Sequence, residues 1–253
     1  MKIPYRAAGL FAAAFLIAQT AFAQTVEGSW TVRQAEEPDR VQLSFAYGHH
    51  SQSSDDWRAA SLPGLDLAPS ARHDVHFTLE REAGRIEAEG AGASGTAAGS
   101  FRFTANSAYP AELRKLGLGA VDPETQMSFA LHDVNLAFIR DMMALKPTGL
   151  EAGELVALAI HGATRDWAAG LAKLGYGNGA VNAGQLIAFR IQGVTPDYIS
   201  SIEAAGFPHP KPEQLIAMRI HGVTPDYVAS LRAKGVKELS LDQLMTMKIL
   251  GID

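Results

Sequence analysis

Leu215-Ile-Ala-Met-Arg-Ile-His-Gly-Val-Thr-Pro-Asp-Tyr227 recurs as Leu186-Ile-Ala-Phe-Arg-Ile-Gln-Gly-Val-Thr-Pro-Asp-Tyr198 and, more loosely, as Leu155-Val-Ala-Leu-Ala-Ile-His-Gly-Ala-Thr-Arg-Asp-Trp167. The copies start 31 and 29 residues apart and align without gaps. A further copy opens at Leu244 and breaks off at Gly251. A degenerate one begins near Gln126, where Met127 to Phe138 keeps most apolar positions and His132. Ahead of it, Leu113-Arg-Lys-Leu-Gly117 matches Leu231-Arg-Ala-Lys-Gly235. A period of this length marks stacked helical units, none of which can bury its apolar face alone.

The residue types explain the unit. Thr224 is a good N-cap, Pro225 suits the first helical position, and Asp226 favours the positive helix start. Tyr227, Val228 and Leu231 follow at helical spacing. Gly235 stops the helix, because glycine enters the left-handed region without steric cost. Ser240-Leu-Asp-Gln243 reads as a capping box. It opens a second helix that carries Leu244, Met247 and Ile249 and stops at Gly251. By the same reasoning Thr164, Thr195 and Thr224 are expected N-caps. Gly162, Gly175, Gly193, Gly206, Gly222 and Gly235 are expected helix stops. Units then start near residues 126, 155, 186, 215 and 244. Each is a pair of helices of about ten residues, too short to persist alone in water. In the unit at 126, Asn135-Leu136 replaces Thr-Pro and Lys146 replaces the terminal glycine, which suggests that this unit packs on the sheet rather than on another repeat. Lys211-Pro212 replaces the Ser cap, after a stiff Pro208-His-Pro-Lys-Pro212 stretch that would set the angle between two units.

Upstream the period falls to two. Gly28 to Arg33, Arg40 to Tyr47, Val75 to Glu80, Arg85 to Glu89 and Gly99 to Thr104 read as strands with one apolar face, as antiparallel sheets require. Glu82-Ala-Gly-Arg85 reads as a tight hairpin turn, and the polar stretch 48–72 as a long mobile loop. The expected fold class is α+β: a small antiparallel sheet domain over 24–109, followed by a helical repeat array over 110–253.

The first residues read differently again. Lys2 and Arg6 precede an apolar run from Ala7 to Ala18, and Ala21-Phe-Ala23 offers small residues at both positions a signal peptidase reads. Residues 1–23 are therefore expected to be a cleaved leader, cut after Ala23, leaving a periplasmic or secreted protein with no later membrane insertion. No cysteine follows the run, which excludes a lipoprotein anchor, and the 253-residue chain has no cysteine at all. Removing Lys2 and Arg6 leaves 20 basic against 27 acidic residues, a formal charge of −7. Such a chain, without a basic stripe, argues against a nucleic-acid partner.

The phrase Leu-Ile-Ala-x-Arg-Ile-His-Gly-Val-Thr-Pro-Asp-Tyr resembles a helical repeat of exported bacterial proteins. It is similar, too, to the extracytoplasmic tail of some membrane metallopeptidases of the β-lactam-sensor type. The strand region with Trp30 and its Gly-rich hairpin resembles what precedes the repeats there. No His-Glu-x-x-His occurs, so peptidase activity does not carry over. What the resemblance implies is a sensory or partner-binding appendage.

Few residues are arranged as catalysis would require. Gly90-Ala-Gly-Ala-Ser-Gly95 has the spacing of a dinucleotide fingerprint, but a strand follows it instead of a helix, so it reads as a Gly-rich hairpin. His132, His161 and His221 share one repeat position, with Gln192 between. At one unit apart, on the order of 10 Å, they are too far apart to share a metal ion, and read as polar residues donating to the last helix carbonyls. Phe138, Trp167, Tyr198 and Tyr227 share another position. Such a row is more often a packing spine than a ligand face. Trp167, Tyr198 and Tyr227, with His161 and His221, are the candidate binding face. His49-His50 with Asp55-Asp56 reads as solvated loop. No nucleophile motif is present, and no catalytic residue, cofactor or metal is assigned. The expectation is a non-enzymatic exported protein whose array engages another envelope protein. Its rivals are a sensory accessory to a signalling peptidase and a cell-wall hydrolase using sheet carboxylates.

Overall fold

The computed structural model describes residues 25–252 apart from Lys237, with backbone alone for residue 50 and residues 53–56. The expected leader, residues 1–23, lies outside the described residues, as do the side chains of His50, Asp55 and Asp56. Among the described residues the fold is α+β: a six-stranded antiparallel sheet followed by ten short α-helices. The strands are β1 (Thr25–Gln34), β2 (Arg40–Tyr47), β3 (His50–Arg58), β4 (His73–Arg81), β5 (Gly84–Ala93) and β6 (Thr96–Ala105). They lie in the order β3-β2-β1-β6-β5-β4. Two three-stranded meanders thus meet along β1 and β6.

The inner sheet face is built by alternation. Val41, Leu43, Phe45 and Tyr47 on β2, and Val75, Phe77 and Leu79 on β4, are all buried. Trp30 on β1 ties the face together. Its register partners across the sheet are Gly99, then Gly90, then Val75. At the two glycines the strands approach so closely that a Cβ at Gly99 would lie 1.9 Å from the Glu89 carbonyl oxygen, and one at Gly90 2.1 Å from that of Ala98. With no side chains there, Trp30 reaches across β6 and β5 to meet Phe77 edge-on, ring centroids 4.9 Å apart. In a flat sheet those two strands would stand roughly 14 Å apart. The indole N–H donates to the carbonyls of Ser100 at 3.0 Å and Glu89 at 3.2 Å. The Gly-rich fingerprint is therefore a hairpin strand that makes room for an aromatic ring. Its two-residue turn, Ser94-Gly95, has positive φ at both positions, as tight hairpins favour.

The stretch 48–72 differs from its expected form. It contains β3, paired along β2, and a short turn over 59–61. β3 is an edge strand with Ser, Gln and Asp, and edge strands are kept polar, so no apolar alternation announced it. The remainder is strapped down: Pro63 accepts from Thr78, Leu67 from Gly95 and Pro69 from Ser94 through backbone hydrogen bonds, and Leu62 is buried.

The helices are α1 (Tyr109–Lys115), α2 (Pro123–Leu131), α3 (Leu136–Ala144), α4 (Ala152–Ile160), α5 (Arg165–Lys173), α6 (Ala183–Gln192), α7 (Pro196–Ala204), α8 (Pro212–Ile220), α9 (Pro225–Ala233) and α10 (Leu241–Ile249). They form two layers. Even-numbered helices α2 to α10 pack in succession; in the other layer α3 packs on α5 and α5 on α7. Leu155, Leu186, Leu215 and Leu244 are fully buried at one repeat position. At that position α2 carries Gln126, also buried, whose Nε2 donates to the carbonyls of Ala83 at 2.6 Å and Asn106 at 2.8 Å. One leucine-to-glutamine exchange thus converts a repeat helix into one that seats on strand ends. α2 packs on the sheet and on α4 as well, so the first unit belongs to both parts, not to the sheet alone.

Candidate functional site

The threonines and glycines singled out from the sequence sit at helix ends. Thr164, Thr195 and Thr224 each accept a hydrogen bond from the backbone N–H three residues on, at Trp167, Tyr198 and Tyr227. Gly162, Gly175, Gly193, Gly206, Gly222 and Gly235 all have φ between 68° and 94°. The residue after each one donates back to the carbonyl five positions earlier, as in Val194 to Phe189 and Val223 to Met218. This pattern satisfies carbonyls that a helix end would otherwise leave bare. Lys146 and Asp133 keep the left-handed turn without glycine, at φ 50° and 51°.

The candidate binding face does not survive in its expected form. Trp167, Tyr198 and Tyr227 are buried, and their polar tips are used within the array. Trp167 Nε1–H donates to the Val194 carbonyl at 3.2 Å, Tyr198 Oη to Val223 at 2.9 Å and Tyr227 Oη to Ile252 at 2.6 Å. Each aromatic thus ties one unit to the loop of the next. Tyr109 does the same, donating to Val134 at 2.5 Å. Sequence reasoning missed it, although it precedes Leu113 by four residues just as Tyr227 precedes Leu231. A reverse tie runs from the repeat arginine. Arg190 Nε donates to the His161 carbonyl at 3.0 Å while its guanidinium lies 5.4 Å from the Trp167 ring centre. Arg219 repeats this on the Gln192 carbonyl at 2.9 Å and on Tyr198 at 4.9 Å.

The histidines differ from their expected role as well. His161 and His221 are exposed at helix C-caps, and their imidazoles donate to no carbonyl among the described residues. His132 is more enclosed, and burial pushes its pKa down. Among the described residues no three His, Asp or Glu side chains gather as a metal site would need.

Burial pushes the pKa of Tyr198 up to about 12, with Arg219 opposing the shift in part. Tyr176, whose hydroxyl donates to the Pro210 carbonyl at 2.6 Å, is likewise raised to about 12 by burial, helped by Glu203. The folded chain holds these protons at pH values where an unfolded tyrosine, with a pKa near 10, has lost them. Stability is then complete below pH 10 and falls as pH rises towards 12. Tyr198→Phe is expected to cost about 1–2 kcal/mol at neutral pH, because the Val223 carbonyl loses its donor. It should also flatten the alkaline decline in a melting-temperature series from pH 8 to 12. An alkaline decline as steep as in the unaltered chain would refute the assignment.

What the array does expose is a row of isoleucines. Ile160, Ile191, Ile220 and Ile249 occupy one repeat position, one residue after the arginine position, and are 55%, 54%, 57% and 61% exposed. Sequence reasoning listed Ile249 among the apolar residues of its helix without assigning it to the exposed side. Val156, Ile187, Ile216 and Met245, four residues earlier and so on the same helix face, are half-buried. The even-numbered layer thus carries an apolar band repeated on four successive helices. At the equivalent position of α2, Leu131 is buried, and the band ends there.

Beyond that end lies a groove of about 720 Å³ between α2, α4 and the sheet edge, lined by Arg58, Arg81, Trp57, His132 and Ala159 among others. The solvent face of the sheet has a shallow trough with Glu27, Glu87 and Glu89. These carboxylates are exposed, Glu27 paired with Arg102 at 2.7 Å and Glu87 with Arg85 at 3.1 Å. No helix among the described residues is long and apolar enough to cross a membrane. No protein-family profile, curated protein or solved structure matches this chain.

Proposed function

We propose that this chain is a non-enzymatic binding protein that works outside the cytoplasm and engages another envelope protein along the isoleucine band of its array. The observation that carries the reading is the recurrence of an exposed isoleucine in four successive units. Unit stacking is accounted for by the buried leucines, the aromatic ties and the caps, so packing gives no reason for a large aliphatic side chain to face water at one fixed position. Contiguous exposed apolar surface of this kind marks an interaction site. Repeat arrays offer such surfaces by construction.

The spacing suggests the partner's shape. Stacked helices repeat every 8–10 Å or so, and seven residues of an α-helix rise about 10.5 Å. An amphipathic helix with an aliphatic residue at every seventh position can therefore lie along the band and meet each isoleucine in turn. The basic leader with its small-residue cleavage site supports export. The exposed, ion-paired glutamates of the sheet favour binding over hydrolysis, because acid–base catalysis needs a sheltered, perturbed carboxylate.

The test is a paired variant, Ile191→Lys/Ile220→Lys. Both residues are more than half exposed, so the melting temperature should stay within a few degrees. A discrete protein retained from envelope extract by the unaltered chain should be lost by the variant. Equal retention by both would overturn the reading, and so would a band that buries only a second copy of this chain in sedimentation.

A further inference from the structure

The groove beside α2 exists because one arginine is missing. In the later units the helix at each even-numbered position carries a basic residue, Arg190, Arg219 or Lys248, just before the exposed isoleucine. Arg190 and Arg219 each reach back to the last carbonyl of the preceding even-numbered helix and fill the space between the two. At the first such junction α4 carries Ala159 instead, facing the end of α2 where His132 caps the helix. The opening left there is floored by Leu131, Val156 and Ala159, and the sheet closes its other side with Trp57, Arg58 and Arg81.

The charge of this wall is distinctive. Among the described residues, three guanidiniums, those of Arg40, Arg58 and Arg81, and one carboxylate, Asp133, line the groove, in a chain whose formal charge is −5. Asp133 lies 3.4 Å from Arg81, and Arg40 is 3.8 Å from Glu37. The Arg58 side chain is exposed and has no partner among the described residues. An aliphatic floor beside an arginine wall fits a ligand with an apolar body and an anionic head.

We infer that this groove is a binding site for a small amphipathic carboxylate, its head against Arg58 and Arg81 and its aliphatic body on Leu131, Val156 and Ala159. The groove adjoins the first unit of the isoleucine band and shares Val156 and Ile160 with it, but its arginine wall lies on the sheet, and the proposal stands whether or not the band holds a partner. Arginine suits the head because its planar fork pairs two carboxylate oxygens at once. The volume, about 720 Å³, is that of a small-molecule pocket.

Titration calorimetry of the full chain with octanoate, 1-octanol and acetate tests this. Octanoate should bind at least about tenfold more tightly than either control, because each control lacks one half of the interaction. Arg58→Gln should weaken octanoate about tenfold with the melting temperature unchanged. Ala159→Arg should abolish binding while the melting temperature holds or rises, since the new guanidinium can reach the His132 carbonyl as Arg190 reaches that of His161. Octanoate binding no tighter than that of the controls would overturn the proposal. So would octanoate binding that persists in both variants.

Discussion

Trp30→Ala is expected to lower the stability of the chain by about 3–5 kcal/mol, the usual cost of deleting a fully buried large aromatic. Trp30 is 1% exposed. Its ring spans the glycine gap of β6 and β5 and meets Phe77 on β4, so the deletion leaves a void that neighbours cannot fill. Gly90 and Gly99 have no side chains to move inward, and backbone contact near 2 Å from any added Cβ prevents β5 and β6 from shifting closer. The deletion also removes the indole N–H as a donor to the Glu89 and Ser100 carbonyls. Urea unfolding followed by far-ultraviolet dichroism measures the loss. A change under about 1 kcal/mol would mean that the ring does not hold the two meanders together.

The second large effect separates backbone strain from packing at the helix stops. Gly193 has φ 68° and Gly222 φ 71°, so alanine at either meets the same left-handed penalty, about 1–2 kcal/mol. Their surroundings differ. A Cβ at Gly193 would lie 2.8 Å from an Nη of Arg219, whereas nothing lies within 4 Å of one at Gly222. Gly193→Ala therefore displaces the guanidinium from the Gln192 carbonyl and the Tyr198 face, and should cost about 1 kcal/mol more than Gly222→Ala. In an Arg219→Ala background the difference should vanish. Equal costs in the native background would show that the arginine tie contributes nothing to stability.

Most of the array was legible because its signals are local. A threonine three residues before an aromatic, a glycine after a short apolar run and a capping box at Ser240 each act within one turn of chain. The ties between units were not legible from any one unit. Tyr198 meets Val223 and Arg219 meets Gln192 only after stacking, and a hydroxyl on a core aromatic says nothing about which carbonyl it will find. The aromatic row therefore read as a possible ligand face, although its tips are consumed inside the array. The exposure of Ile249 was not legible for a different reason. Its spacing from Leu244 fits an apolar stripe, and only the packing of neighbouring helices shows that the stripe is wider than the core it serves. β3 escaped because an edge strand satisfies one row of backbone groups without apolar alternation. Gln126 was visible as a departure from the repeat leucine, but its two carbonyl partners come from strand ends 43 and 20 residues upstream in the chain.

A photo-reactive amino acid placed at Ile220, and separately at exposed Ser200 on α7, tests the binding band most directly. If the band holds a partner, irradiation in envelope extract should yield one discrete heavier product from position 220 and none from position 200. Products from both positions alike, or from neither, would contradict it.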